Sequence, residues 1–291
     1  MFTKSLSAFL LAACALQAAG RYQASEPHMG SLTTITLYAD SAEQAQQGFL
    51  QAFARIAELN RILSDYNPSS EISTSCEQPK SADLRAVLDL ARAIHDQSEG
   101  AFDIYAGAVT HLWRRARRDK QMPSRDDIQR AMHSRGSICD AGGIAKGYAA
   151  DEALATLRAF GIPRALVAMS GDIAIGDPPP GKPGWRVRAA GGVHTLSNAG
   201  VSTSGDEYQG FNIGSVRYSH IIDPRTGQAL RNAPSVSVIA RTAAEADAAA
   251  TAISVGGQNT ARRLQATRKL QIFIGPSSST IEPTPQATPA Q

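Results

Sequence analysis

The chain is short of several things. Cysteine occurs three times in 291 residues and histidine six times, and none of them are paired at zinc-ligand spacing. That argues against a zinc or iron centre. The formal net charge is only +3, too small a surplus to imply a nucleic-acid partner. No uncharged apolar run is long enough to cross a bilayer. Gly-x-Gly-x-x-Gly, a phosphate loop ending in Gly-Lys-Ser/Thr, and a Gly-x-Ser-x-Gly elbow are all missing. The commonest dinucleotide, NTPase and serine-hydrolase signatures are therefore absent. There is no internal repeat.

What is present is globular: 43% hydrophobic and 19% charged residues, enough for a large core and one or two domains. Lys4 precedes an uncharged run from Ser5 to Ala19, the length of a secretory signal, so residues 1–19 read as a leader. Leu11-Ala12-Ala13-Cys14 has the form of a lipobox, which would lipidate Cys14. The other reading is an ordinary cut near Ala15, Ala18 or Ala19. Both put the mature protein outside the cytoplasm, in the periplasm or cell envelope. Cys76 and Cys139 then fit either a disulfide or two buried free thiols.

Periodicity predicts a strand over Leu32–Tyr38 and a helix over Ala42–Leu63, where Phe49, Phe53, Ile56, Leu59 and Ile62 recur at helical steps. Asn67-Pro68-Ser69-Ser70 is a turn. Helices follow over Leu84–His95 and Asp126–Met132. The basic run Arg114, Arg115, Arg117, Arg118 and Lys120 reads as a solvated helix face or loop. Another helix spans Tyr148–Phe160, ended by Gly161. Short strands are expected at Ala165–Met169, Val236–Ala240 and Gln271–Ile274, and a hairpin around Gly191-Gly192. Ala243–Val255 is helical. From Pro276 to Gln291 the chain is Ser, Thr, Pro and Gln without periodicity, the composition of a disordered tail. This mixture argues for an α+β or mixed α/β fold.

The densest chemistry lies in Asp140-Ala141-Gly142-Gly143-Ile144-Ala145-Lys146-Gly147-Tyr148. Glycines allow close backbone approach, and a lysine at a helix mouth adds charge to the amide dipoles, which suits a phosphate. The plainer reading is a turn with a solvated lysine. In Ser219-His220-Ile221-Ile222-Asp223-Pro224-Arg225-Thr226-Gly227 a turn presents His220 and Asp223, or simply closes a strand. Asp247 and Thr251, four apart in an alanine-rich helix, share a face. They offer hard oxygens suited to Mg²⁺, or Thr251 bonds back into its own helix. Tyr66, in Ser64-Asp65-Tyr66-Asn67, and Phe102, in Gly100-Ala101-Phe102-Asp103, offer aromatic surface, with core packing the default for Phe102. Ser204, His220 and Asp223 could form a triad, but no elbow supports it.

Taken in order, these clusters resemble the ApbE family, the FAD:protein FMN transferases or flavin-trafficking lipoproteins. Met29-Gly30-Ser31, Leu63 to Tyr66, Ser70-Glu71, Gly171-Asp172 and Thr203-Ser204-Gly205 complete the match. It covers roughly residues 29–275. The resemblance implies an α+β fold of ApbE type, T-fold-related, with mixed sheets flanked by helices and two lobes around an FAD cleft. By position, Met29, Tyr66, Ala101, Phe102 and Asp103 would hold the flavin side. Asp140, Lys146, Asp172, His220 and Ile221 would contact the rest of FAD. Asp247, Thr251 and the Gly143 carbonyl would hold Mg²⁺. The implied reaction moves FMN from FAD to a Thr or Ser hydroxyl of an acceptor protein in a membrane redox complex, releasing AMP, with His220 as base. FAD hydrolysis to FMN and AMP, or FAD binding without catalysis, are the alternatives. Two departures from the family pattern stand out. A hairpin before Asp140 is missing, so Arg135-Gly136-Ser137-Ile138 runs almost directly into the Gly-rich segment. Ala141 and Ser170 also replace the usual Leu and Gly.

Overall fold

The computed structural model describes residues 19–205 and 210–277. The leader with Cys14, and everything after Ser277, lie outside the described residues. The elements run as follows: β1 (Gly20–His28), β2 (Ser31–Ala39), α1 (Ala42–Leu63), α2 (Glu71–Ser75), α3 (Ala82–Gln97), α4 (Gly107–Asp119), α5 (Arg125–His133) and α6 (Ala145–Ala159). Then come β3 (Ala165–Met169), β4 (Asp172–Ile175), β5 (Trp185–Ala189), β6 (Gly192–Leu196), β7 (Ala199–Ser204), β8 (Phe211–Ile213) and β9 (Val216–Tyr218). The chain closes with β10 (Ile222–Asp223), β11 (Gln228–Ala229), β12 (Pro234–Ala240), α7 (Ala243–Thr267) and β13 (Gln271–Ser277).

One seven-stranded sheet, ordered β1-β2-β3-β4-β7-β12-β13, organises the molecule. Its neighbours all pair antiparallel. The fold is α+β as expected, with an antiparallel rather than a mixed main sheet. Helices α1, α3, α6 and α7 contribute to the main core on one face, built from residues such as Ile35, Leu37, Ile56, Leu59, Leu157 and Ile253. Trp185 and Val187 of the β5–β6 hairpin pack with Ile175, Val201 and Ile239 in a second cluster. A third cluster joins α4 and α5 to the small strands through Val109, Trp113, Ile128, Phe211 and Tyr218. This separate core makes a smaller lobe.

The sheet starts earlier and ends later than periodicity indicates. Strand β1 is half-exposed and lies at an edge, so its hydrophobic alternation is weak. Met29 (φ 48°) and Gly30 (φ 73°) form the two-residue turn into β2, both in the left-handed region that such hairpins use. At the far edge, Pro276 and Ser277 belong to β13, not to a disordered tail.

Helix α7 is held by close backbone approach. A Cβ on Gly147 would lie 2.3 Å from the Ala243 carbonyl oxygen, and one on Gly200 would lie 2.1 Å from the Ala243 nitrogen. Both positions therefore require glycine. The helix bends at Gly257, whose φ of 63° and ψ of −152° are not helical. The Asp151 carboxylate accepts from the Ala243 and Ala244 amides, each at 2.9 Å, and satisfies the start of α7.

Burial pushes the Asp151 carboxyl up to about 6, against the pull of those two amides. A folded value above the unfolded 3.8 means folding favours the protonated form. That contribution is complete below the unfolded value and is lost as pH rises through about 6. Asp151→Asn has no such proton. Its stability relative to the parent is therefore expected to improve between pH 4 and pH 7, read as the difference in urea midpoints. A pH-independent difference would remove Asp151 as the cause.

Candidate functional site

Local sequence explains where the polar residues converge. Helix α6 begins at Ala145 with no side chain capping it. Lys146 and Gly147 therefore lie in its first turn, at the positive end of the helix dipole. Lys146 makes a short ion pair with Asp172, the first residue of β4. The second oxygen of Asp172 accepts from Ser202 at 2.6 Å. The Gly147 amide donates to Asp247 at 3.2 Å. Asp172 and Asp247 are both buried.

The electrostatics are tightly linked. Burial opposes the Lys146 charge, but the Asp247 and Asp172 carboxylates outweigh it and push the ammonium up. Burial and the neighbouring Asp172 charge push Asp247 up to about 7, against the pull of Lys146 and the Gly147 amide. One ammonium thus faces two buried carboxylates, an excess of negative charge that favours a further cation.

That cation has a place. A Cβ on Gly143 would sit 3.0 Å from Thr251 Oγ1 and 3.1 Å from Phe102 Cε2. The bare Gly143 backbone therefore faces Thr251, one turn along the helix from Asp247. Among the described residues no three His, Cys, Asp or Glu gather as a metal site. The hard-oxygen set is a carboxylate, a hydroxyl and backbone, and these donors fit Mg²⁺.

A second group adjoins the first through the same loop. Asp140 accepts from the Gly142 amide at 2.7 Å and from Arg114 at 2.8 Å. Arg114 also makes a short ion pair with Asp65 and lies 4.2 Å over the Tyr66 ring. His111 reaches Asp65 at 3.0 Å. Burial opposes the Asp65 charge, yet the His111 hydrogen bond and the Arg114 guanidinium hold that carboxyl below its ordinary range. Tyr66 is 76% exposed, with Arg114 against one face of its ring.

The third group is the loop after α3. Ala101 and Phe102 are buried. His95 Nδ1 stands 2.9 Å from the Phe102 carbonyl oxygen. The Asp103 side chain is 1% exposed. Its Oδ2 has no hydrogen bond of proper geometry, although Arg135 Nε lies 2.5 Å away. Arg135 thus neutralises the buried Asp103 carboxylate, whose Oδ1 accepts from the Tyr105 amide.

Recorded contacts thus tie Tyr66, Ala101, Phe102, Asp103, Asp140, Gly143, Lys146, Asp172, Asp247 and Thr251 into one continuous wall. Met29 lies in the β1–β2 turn and is half-buried against the main core. His220 is exposed and Ile221 buried, just before the β10–β11 hairpin. The turn of that hairpin reaches the Gly100 loop: Arg225 Cγ would lie 3.7 Å from a Cβ on Gly100. Asp223 serves the turn instead of a ligand, since its carboxylate accepts from the Arg225 amide and guanidinium, each at 2.9 Å.

Three features go beyond the sequence reading. The basic run is not only a solvated face, because Arg114 belongs to the wall. Cys76 and Cys139 are bridged, with Cα atoms 6.3 Å apart, rather than free thiols. The shortened segment before Asp140 is well anchored. Gly136 donates to Tyr105, Gly107 to Ile138, and Asp140 to Ile104, at 3.1, 3.1 and 2.8 Å. The disulfide and these bonds hold the segment against the loop after α3 and the start of α4. Ser170, where glycine is usual, has φ 59°, a conformation that glycine adopts more easily.

The chain is similar to proteins of known name. The chain is 30% identical over 249 residues to an FAD:protein FMN transferase of Chlamydia trachomatis, covering 74% of this chain and 77% of that protein. An FAD:protein FMN transferase of Salmonella typhimurium is 26% identical, with 84% of this chain and 81% of that one covered. The structure matches that of Pseudomonas stutzeri flavinyl transferase ApbE in its apo form, with TM-score 0.76 and 25% identity, over 88% of this chain and 91% of that one. The ApbE family model matches residues 29–274, and the chain belongs to the ApbE family.

Proposed function

We propose that this chain is an FAD:protein FMN transferase that uses Mg²⁺. The observation carrying the proposal is the set of Lys146, Asp172 and Asp247 beside the Gly143 backbone and Thr251. A buried ammonium, the buried Asp247 carboxyl raised to about 7 and the hard oxygens beside it support a reading in which a pyrophosphate and a divalent ion are held together. Its relatives carry the transferase name. An acceptor Ser or Thr oxygen forms a bond to the FMN phosphorus, the bond to AMP breaks, AMP leaves with the electron pair, and the hydroxyl gives up its proton. Lys146 holds a positive charge against the phosphates. Gly143, Asp247 and Thr251 would hold Mg²⁺, which supplies Lewis-acid neutralisation of charge on the pyrophosphate. Met29, Tyr66, Ala101, Phe102 and Asp103 would hold the flavin side, and Asp140, Asp172 and Ile221 would contact the rest of FAD. His220 is the side chain assigned to receive the proton.

We also propose that the protein works in the cell envelope on acceptors of membrane redox complexes. The apolar leader supports this, as does the Cys76–Cys139 bridge, since disulfides persist in oxidising compartments. A lipid anchor at Cys14 is part of the same proposal.

The test is incubation with FAD, Mg²⁺ and a Thr-bearing acceptor, read by mass spectrometry. An FMN adduct plus AMP is expected. Free FMN plus AMP without adduct would show hydrolysis, and unchanged FAD would sink both catalytic readings. His220→Ala is expected to lose about 10²–10⁴-fold in transfer rate at saturating FAD. Full transfer by that variant would withdraw the role of base.

A further inference from the structure

Two chain segments meet at the wall, and they are joined twice. One runs from Asp65 and Tyr66 through the short helix α2 to Cys76, the residue that follows it. The other is the Gly-rich loop, in which Cys139 directly precedes Asp140. Arg114 reaches Asp65 in the first and Asp140 in the second. The Cys76–Cys139 disulfide ties the same two segments covalently. The links differ in kind. The Arg114 side chain is 30% exposed, so water screens its pairs. The disulfide sits in the main core, with Cys139 1% and Cys76 9% exposed.

The Asp140 amide is anchored on the Ile104 carbonyl, but Gly142 and Gly143 follow, and glycine loses the most conformational freedom on being fixed. The first segment is knit internally. The Asn67 amide donates to Ser64, Ser70 to Asn67 and Thr74 to Ser70, at 3.2, 3.0 and 3.2 Å. These bonds fix Tyr66 relative to α2 and Cys76, and the bridge fixes that unit relative to Asp140. The cysteines are 63 positions apart, with α3, α4 and α5 between them. Chain connectivity alone therefore does not hold the two segments together.

We propose that the Cys76–Cys139 bridge positions the FAD site and makes FAD binding depend on its oxidation. The inference rests on the transferase reading, which assigns Tyr66 and Asp140 to FAD. With the bridge closed, Tyr66 and Asp140 are held at their spacing before the ligand arrives. With the cysteines as thiols, binding has to order the loop as well and weakens accordingly. A newly made chain carries thiols, so it loads FAD poorly until it is oxidised. Closing the bridge takes two protons and two electrons from the thiols, and a protein or small-molecule disulfide accepts them, becoming two thiols. Opening it is the reverse: a thiolate attacks the more exposed Cys76 Sγ, the S–S bond breaks, and Cys139 leaves as a thiolate with the electron pair. A second thiol then releases Cys76, and the reductant departs as its own disulfide.

The test compares the full chain in its oxidised form with the same chain reduced by dithiothreitol, the reductant being removed without air. Well below the melting temperature of both forms, FAD fluorescence titration with MgCl₂ is expected to show about tenfold weaker binding by the reduced chain, the cost of ordering about one residue of backbone. Oxidised glutathione should restore the parental affinity. The double variant Cys76→Ala, Cys139→Ala should match the reduced chain and ignore both reagents. Hydrogen exchange gives a readout that needs no FAD. At short labelling times the amides of residues 140–144 should exchange about tenfold faster in the reduced chain, while Ile35 and Leu37 in β2 stay protected. Equal FAD affinity in the two forms would overturn the proposal, as would unchanged exchange at residues 140–144. Loss of protection in β2 as well, or loss of the far-UV circular dichroism signal, would also overturn it and make the bridge a staple of the whole fold. If the oxidised parent does not bind FAD, the transferase reading fails, and the exchange pattern still decides whether the bridge holds the loop.

Discussion

Lys146→Ala is expected to slow FMN transfer by about 10²–10³-fold and to destabilise the protein at the same time. Lys146 is the cation between Asp172 and Asp247, and both carboxylates are buried. Removing one partner of a buried pair leaves uncompensated charge, which costs about 3–5 kcal/mol. For a chain of this size that is a fall in Tm of roughly 10 °C. The catalytic loss is a separate matter. Withdrawing a positioned positive charge from a developing anion costs about 10²–10³ in rate. The double variant Lys146→Ala, Asp172→Asn separates the two effects. It should recover part of the thermal stability, because Asp172 no longer leaves an unpaired charge while Asp247 still lacks its ammonium, and none of the activity. Differential scanning fluorimetry and a transfer assay read both. A single variant with parental Tm and rate would show that the ion pair does neither job.

Arg114→Ala is expected to weaken FAD binding about 30-fold, equivalent to about 2 kcal/mol. The guanidinium joins Asp65, Asp140 and the Tyr66 ring. Without it the ring loses the contact on one face, and Asp140 keeps only the Gly142 amide. Arg114→Lys should restore little, since an ammonium cannot serve two carboxylates and stack on a ring in one geometry. A merely structural charge would be rescued by lysine, so equal FAD affinity in the lysine variant and the parent would refute the positioning role. FAD fluorescence titration makes the distinction.

The sequence was most readable where one element fixes its own pattern. The apolar repeat of α1 marks its ends at Ala42 and Leu63, and the order of the short motifs points to the family. Helix α4 also carries a helical repeat in Val109, Leu112, Trp113 and Ala116, a usable signal hidden by the arginines around it. Strand β7, Gly-Val-Ser-Thr-Ser at its centre, has almost no hydrophobic pattern because its order comes from pairing with β4 and β12. Long-range facts were not legible at all. Arg114 meets partners 49 and 26 residues away, and the two cysteines are 63 apart. Such choices are made by the assembled fold, not by local propensity.

The strand order has a consequence for how the chain is made. Strand β2 pairs with β3 between Thr33 and Met169, so its inner neighbour is synthesised well over a hundred residues later. In the interval Ile35 and Leu37, fully buried in the finished protein, belong to a hairpin with one side unpaired. Non-local pairings of this kind fold slowly and leave sticky strand edges waiting. The first six helices can form as they emerge, but the sheet cannot close until its later strands arrive. A growing chain therefore carries an exposed β-edge through much of its synthesis, which is the stage at which it needs protection from aggregation.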